Sequence, residues 1–247
     1  MLPIKALQMR NPSVTGPADP YWSNVQLLLG YNGGTLGNQA FTDESSAART
    51  MLVSGAARKW STDKFSDPSG FCLDLDNVGG YVYTADSPTW AMGTTPFTLE
   101  TWAWFGTAPT SGFHYLIAQY DTNAQRAWAL LVQAGSLQML LSSAGTSGTA
   151  VASAAHTFAT STWHHIAGDW DGTAYRTYAN GSMVGKSTTP VTIFNSTAPL
   201  TIGAALSSGV KNSNFVGFLD ETRVTVGVAR YATDAGFAVP TTAYPRH

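Results

Sequence analysis

The chain has a single cysteine, Cys72. That excludes an internal disulfide and any zinc site built on cysteine pairs. Charge is also scarce: Asp, Glu, Lys and Arg make up 11% of the 247 residues, against about 25% in an ordinary soluble domain. Lys and Arg number 13 and Asp and Glu 15, a net charge of −2. The basic footprint that drives phosphate binding is missing, so nucleic acid is not an expected partner. No apolar run approaches the ~18 residues of a membrane helix, so no membrane partner is expected either. The opening MLPIKALQMRNPS sets Lys5 and Arg10 inside what would be the apolar core of a leader. A secretory signal is therefore not expected, and synthesis in a cytoplasm is.

What is present is apolar and hydroxylated. Hydrophobic residues reach 44% and aromatics 12%, with 53 Ser and Thr and 24 Gly. The composition is that of a globular protein whose surface is made polar by hydroxyls and backbone. Residues 1–24, with Pro12, Pro17 and Pro20 and no apolar period, read as an extended attachment arm. Residues 25–247 read as one all-β domain. Short apolar or alternating runs recur between Gly, Pro, Asn, Asp and Ser clusters: 25–30, 50–55, 71–76, 81–85, 97–105, 115–120, 127–133, 137–142, 163–170, 173–179, 199–203, 215–221 and 222–227. Repeated short strands with turn signals point to a sandwich or barrel. The segments 106–112 and 142–150 read as loops, and Glu44–Arg49 and Val228–Ala232 as single helical turns. Asp171-Gly172 and Asn180-Gly181 mark two tight hairpin turns, giving a three-stranded meander over 163–187. In 97–105 both faces carry apolar residues, as a central strand covered on both sides requires.

Catalytic chemistry finds little purchase. A glycosidase needs paired carboxylates about 5–9.5 Å apart. Asp74 and Asp76 share one side of a strand and have that spacing, but a solvated strand end before a turn is the better explanation. Glu100 and the Asp220-Glu221 pair are the other acidic candidates. His164 and His165 point to opposite faces of a strand, which defeats joint metal ligation. Neither G-x-S-x-G nor H-E-x-x-H occurs. The run NGSMVGKS at 180–187 ends like a phosphate loop but lacks its first glycine and follows a hairpin turn. The Asn180 and Asn195 glycosylation patterns mean little without a secretory signal. Asp43, Asp74, Asp76 and Asp220 are calcium-type ligands, yet nothing resembles a D-x-D-x-D-G loop. No cofactor is expected, with a structural calcium as the lesser alternative. Trp22, Trp60, Trp90 and Trp128 fall near predicted loops or strand ends, where a ring could stack on a sugar. Trp102, Trp104 and Trp163 fall inside strands.

The order of motifs resembles a concanavalin A-like jelly roll of the laminin G-like type, as found in structural proteins of tailed bacteriophages. The pieces that carry the resemblance are VQLLLGYNGG, FTDESS, MLVSGAA, FCLDLDNVGGYV, FTLETWAWF, WHHIAGDWDGTAYRTYANGSMVG, PLTIGA and FVGFLDETRVTVGVARYATDAGFAVPTTAYP, covering about residues 20–245. The last is the most specific: G-x-L-D-E-x-R-V followed by G-V-A-R-Y and a Pro-rich end. The resemblance implies two antiparallel sheets packed face to face, and no catalytic residues. The E-x-D-x-x-E pattern of the β-glucanases that share this sandwich does not occur. Where the family often carries an acid after the opening strand, this chain has Tyr31-Asn32, which counts against a metal there. Asp220 and Arg223 match the family, and Asp220, Arg223 and Asp43 are expected to be structural groups. Asp220 is expected to sit within an apolar row of Val216, Phe218, Val224 and Val226, with the FTDESS loop as its partner. The expected function is that of a non-enzymatic virion protein, decorating the capsid or attached to the tail through the arm. A carbohydrate-binding module for bacterial surface polysaccharide is the alternative, and a homo-oligomer is left open.

Overall fold

A computed structural model describes residues 18–65, 70–75 and 79–247. Most of the arm and Asp76 therefore lie outside the described residues. The strands are β1 (Val25–Leu29), β2 (Leu52–Ser54), β3 (Arg58–Trp60), β4 (Cys72–Asp74), β5 (Tyr81–Thr84), β6 (Phe97–Phe105), β7 (Phe113–Asp121), β8 (Gln125–Gln133) and β9 (Ser136–Leu141). They continue as β10 (Thr149–Ala155), β11 (Trp163–Trp170), β12 (Tyr175–Ala179), β13 (Ser182–Ser187), β14 (Leu200–Ile202), β15 (Ala204–Ser207), β16 (Val210–Asn214) and β17 (Gly217–Val226). Among the described residues they form two sheets. The first runs β13-β12-β11-β6-β17-β4-β3, with β1 also on β17; the second runs β10-β9-β8-β7-β14-β5-β2, with the β15–β16 hairpin beside β7. The fold is the expected two-sheet jelly-roll sandwich.

The core lies between the sheets because each strand turns alternate residues inward. Leu99, Ala103 and Phe105 of β6, Ile166 of β11, and Leu219 and Val224 of β17 come from the first sheet. They meet Ile117 of β7, Trp128, Leu130 and Val132 of β8, and Leu137 and Met139 of β9 from the second. Each Val, Leu, Ile, Phe or Met among them contributes roughly 1.5–3 kcal/mol on burial. The sheets approach closely at Gly168, where a Cβ would stand 2.9 Å from the Met139 sulfur, and at Gly185, where one would stand 2.1 Å from the Ala152 carbonyl. The opening and closing strands are neighbours: Leu27 pairs with Val224 and Leu29 with Thr222.

Local chemistry accounts for the departures. The Asn180-Gly181 turn is a tight hairpin with φ of 49° and 78°, joining Ala179 directly to Ser182. Asp171-Gly172 instead opens a four-residue loop between Trp170 and Tyr175. There the Asp171 carboxylate accepts from the amides of Thr173 and Ala174 at 2.7 and 2.8 Å, so a side chain makes the turn. The two expected helical turns are absent. Ala48 and Ala232 each take φ of 44°, outside the helical region; a short 3₁₀ turn forms at Pro88–Trp90 instead, capped by Ser87. The expected loop over 142–150 gives way to β10 at its end, an Ala-rich edge strand with weak β propensity.

The closing strand holds the main correction. Glu221 adopts φ of 47°, and the β17–β6 register shifts between Asp220 and Arg223. This β-bulge reverses the alternation. Leu219 and Val224 both face the core, while Phe218 packs on Trp104 on the opposite face, ring centroids 4.8 Å apart. The expected row of Val216, Phe218, Val224 and Val226 is therefore split, and Asp220 sits opposite Trp102 on the outer face.

Candidate binding surface

The outer face of the first sheet is sealed. Residues 228–247 run back across it as a strap, joined by the segment around Asp19. Glu100 of β6 is fully buried there. Its carboxylate accepts from Arg223 Nε at 2.8 Å and from the Tyr231 hydroxyl, and His165 Nε2 lies 3.3 Å away. Burial alone would raise the Glu100 carboxyl, but Arg223, His165 and Arg230 outweigh it and hold the group well below the usual range. Asp19 takes a bidentate pair from Arg230 at 3.0 and 2.8 Å and one bond from Arg223 at 3.0 Å. Tyr244 slides under Arg223, with the guanidinium carbon 4.0 Å from its ring centre, and Tyr231 stacks on Phe237. Further along, Arg246 bridges Glu44 at 2.8 Å and Glu221 at 2.7 Å. So residues 18–24, assigned to the arm, fasten onto their own domain.

The expected structural acids fall around this seal. The Asp43 carboxylate accepts from the amides of Leu28, Ser45 and Arg49 at 2.9–3.0 Å, tying its loop to β1. Asp220 accepts from the amides of Lys64 and Glu221, both at 2.8 Å. Its partner is thus the loop around Lys64 rather than FTDESS; the latter meets Glu221 through Arg246. Burial, followed by the Glu221 charge, pushes the Asp220 carboxyl well up. Asp74 pairs with Arg58 at 2.9 Å. His164 and His165 face opposite sides: His164 packs on Phe158 and Phe105, His165 on Trp102 and Tyr244. Among the described residues no cluster of His, Cys, Asp and Glu could hold a metal.

The tryptophans expected near the surface also move. Trp90 and Trp128 are fully buried, and the Trp128 indole donates to the Trp90 carbonyl at 3.1 Å. Trp60 remains partly exposed under Arg58, and Trp22 and Trp163 pack at the rim of the strap cluster beside buried Trp102.

An open aromatic surface lies elsewhere, on the outer face of the second sheet. Phe113 and Tyr115 leave β7 on that face with rings stacked at 5.9 Å and 13°. Tyr120 follows, 5.9 Å from Tyr115, and Leu131 and Leu140 complete an apolar floor. Phe113 is 40% exposed. Gly148 permits the arrangement, since a Cβ there would come 2.4 Å from the Tyr120 hydroxyl. Gln133, Arg126, Asn212 and Ser213 form the polar walls of a groove of about 420 Å³, within the size range of small-ligand sites. Burial raises both phenols, Tyr115 and Tyr120, so each keeps its proton to donate. The cavity beneath the strap is smaller, about 240 Å³, and its arginines are already taken by Asp19 and Glu100. Sequence reasoning missed the groove. The signal was the Phe113, Tyr115 alternation, which a register shift after Tyr115 hides from any strict period-2 reading.

Known proteins place this architecture. The binding domain of Paraclostridial Mosquitocidal Protein 1 is similar at a TM-score of 0.62 and 14% identity, over 86% of this chain and 51% of that one. The binding domain of botulinum neurotoxin serotype C1 is similar at 0.61 and 12% identity, over 83% and 49%. The chain thus spans about half the length of these toxin domains. Domain 4 of AbnA, an extracellular arabinanase from Geobacillus stearothermophilus solved with arabinotriose, is similar at 0.61 and 13% identity, over 83% of this chain and 93% of that domain. At these identities the likeness shows the fold. No curated protein matches the sequence. The model of the concanavalin A-like lectin/glucanases superfamily, laminin G type, matches residues 76–228, well over half of the chain. With the two-sheet jelly roll in place, the chain belongs to the concanavalin A-like lectin/glucanases superfamily.

Proposed function

We propose that this chain is a non-enzymatic glycan-binding module whose recognition surface is the groove on the outer face of the second sheet. The exposed Phe113 ring, stacked on buried Tyr115, carries the reading. Pyranose rings offer apolar faces that stack on aromatic rings, and hydroxyls that take bonds from amides and phenols such as Gln133, Asn212, Tyr115 and Tyr120. The structural neighbours support it: one was solved in complex with arabinotriose, and entry of another, botulinum neurotoxin type C, into cells depends on interaction with two ganglioside molecules. The non-enzymatic part rests on the carboxylates. Glu100, Asp220 and Glu221 are sealed beneath the strap, Asp74 is buried against Arg58, and none of these acids lines the groove.

Binding of purified chain to host-surface polysaccharides, followed by affinity electrophoresis and by release of reducing ends, tests this. Retardation by at least one polysaccharide, loss of it in Phe113→Ala, and no released ends are expected. Equal retardation of wild type and variant, or sustained turnover, overturns the reading.

The setting we propose is a tailed-phage particle carrying this module on its capsid or tail, a reading supported by the resemblance of the closing run GFLDETRV and GVARY to phage members of the family. In that setting the module is made in the host cytoplasm, and the N-terminal segment joins it to other virion proteins. Quantitative mass spectrometry of purified particles should find the chain at a fixed copy number, and deletion of residues 1–17 should abolish incorporation. Absence from particles overturns this placement.

A further inference from the structure

We infer that the glycan bound in the outer groove is acidic, with a sugar carboxylate received by Arg126. This rests on the groove reading and adds the ligand's charge class. Arg126 is the only ionic side chain among the described lining residues at neutral pH, and no Asp or Glu lines the groove. Its guanidinium carbon lies 5.8 Å from the Tyr120 ring centre, and one Nη donates to the Thr146 carbonyl. That bond aims the guanidinium without neutralising it. Arg126 has no carboxylate partner among the described residues, whereas Arg223, Arg230, Arg246 and Arg176 are each paired with one or two.

The nearest acid in sequence, Asp121, does not quench this charge. Its carboxylate turns toward the β15–β16 hairpin and accepts from the amides of Ser208 at 2.8 Å, Gly209 at 2.6 Å and Asn123 at 2.8 Å. The Arg126 charge is felt at the hydroxyls of both Tyr115 and Tyr120, so it projects over the aromatic floor. A pyranose on the Phe113–Tyr115 stack, continued by a second sugar toward Tyr120, brings a ring substituent to the guanidinium. A planar carboxylate matches the guanidinium fork, and a charge-assisted bond in a groove free of competing acids discriminates strongly against a neutral hydroxymethyl.

The test uses the full chain and three matched pairs of probes: trigalacturonate with galactotriose, a glucuronate-containing trisaccharide with its glucose counterpart, and sialyllactose with lactose. Calorimetric titration should give at least one acidic member about tenfold tighter binding than its neutral partner. High salt should erode that preference. Arg126→Gln should erase it while leaving the melting temperature unchanged, and Arg126→Lys should restore part of it. Equal affinity within every pair, or an acidic preference that survives Arg126→Gln, overturns this inference and leaves the groove as a glycan site. Binding by no member overturns the inference and the groove reading together.

Discussion

Asp169 offers a quantitative test of how the strap is held. It sits on β11 with no exposed surface. One carboxylate oxygen accepts from the Ala232 amide at 2.8 Å; the other, Oδ1, has no hydrogen-bond partner. Burial, opposed by the Ala232 amide and Arg176, raises its pKa from 3.8 to about 6. A raised carboxyl binds its proton more tightly in the folded state. Its contribution is therefore most favourable below about pH 4 and is lost as pH rises through about 6. The shift of roughly two units is worth about 3 kcal/mol in full. About 2.5 kcal/mol of that falls between about pH 4 and about pH 8, because the unfolded carboxyl is already partly ionised at the lower value. Asp169→Asn keeps an acceptor for Ala232 and never ionises. Urea denaturation of both proteins at the two pH values isolates this group, since every other titration cancels in the difference. The variant should gain about 2–3 kcal/mol on wild type between the acid and the alkaline measurement, whatever its offset at acid pH. A constant difference between the two pH values would refute the raised pKa of buried Asp169.

Other perturbations follow from the same geometry. Gly181→Val meets both a φ of 78° and the Phe237 carbonyl, 2.1 Å from the added Cβ, so it should cost about 3 kcal/mol or more in equilibrium unfolding. Arg223→Ala removes the nearest counter-charge of buried Glu100 and leaves it Arg230 at 3.7 Å, a loss of about 3–5 kcal/mol, and should expose residues 228–247 to limited proteolysis. Asp220→Ala removes the acceptor for the Lys64 and Glu221 amides and should cost about 1–3 kcal/mol, with no rescue by added calcium. Phe113→Ala, at a partly exposed ring, should change stability by about 1 kcal/mol or less while abolishing glycan binding.

Much of the fold was legible because its signals are local. Strand β6 reads directly from FTLETWAWF, apolar on both faces, and β11 from WHHIAGDW, each with the bounds the structure shows. The Asn180-Gly181 turn needs only the residues that tolerate positive φ. What stayed hidden depends on distant partners. The β17 bulge at Glu221 puts Val224 on the opposite face from Asp220, and no alternation in GFLDETRV announces it. Strands β3 and β10 are edge strands of charged or Ala-rich sequence, stabilised by the neighbour they pair with. The β15–β16 hairpin did carry a signal in Ser208-Gly209, both at positive φ. The groove was harder still. Its tyrosines resemble core residues in a linear reading, and whether Trp128 or Tyr115 faces outward is decided by register shifts on β7 and β8.

An amide-resolved NMR titration of the full chain with a bound oligosaccharide tests the groove most directly. Shifts should concentrate on β7 and the following Thr122, on Gln133, Leu140 and Gly148, and on Asn212 and Ser213 of β16, and they should vanish in Phe113→Ala. Shifts centred instead on the strap, around Tyr231, Thr242 and Tyr244, would contradict the assignment of the binding surface to the outer face of the second sheet.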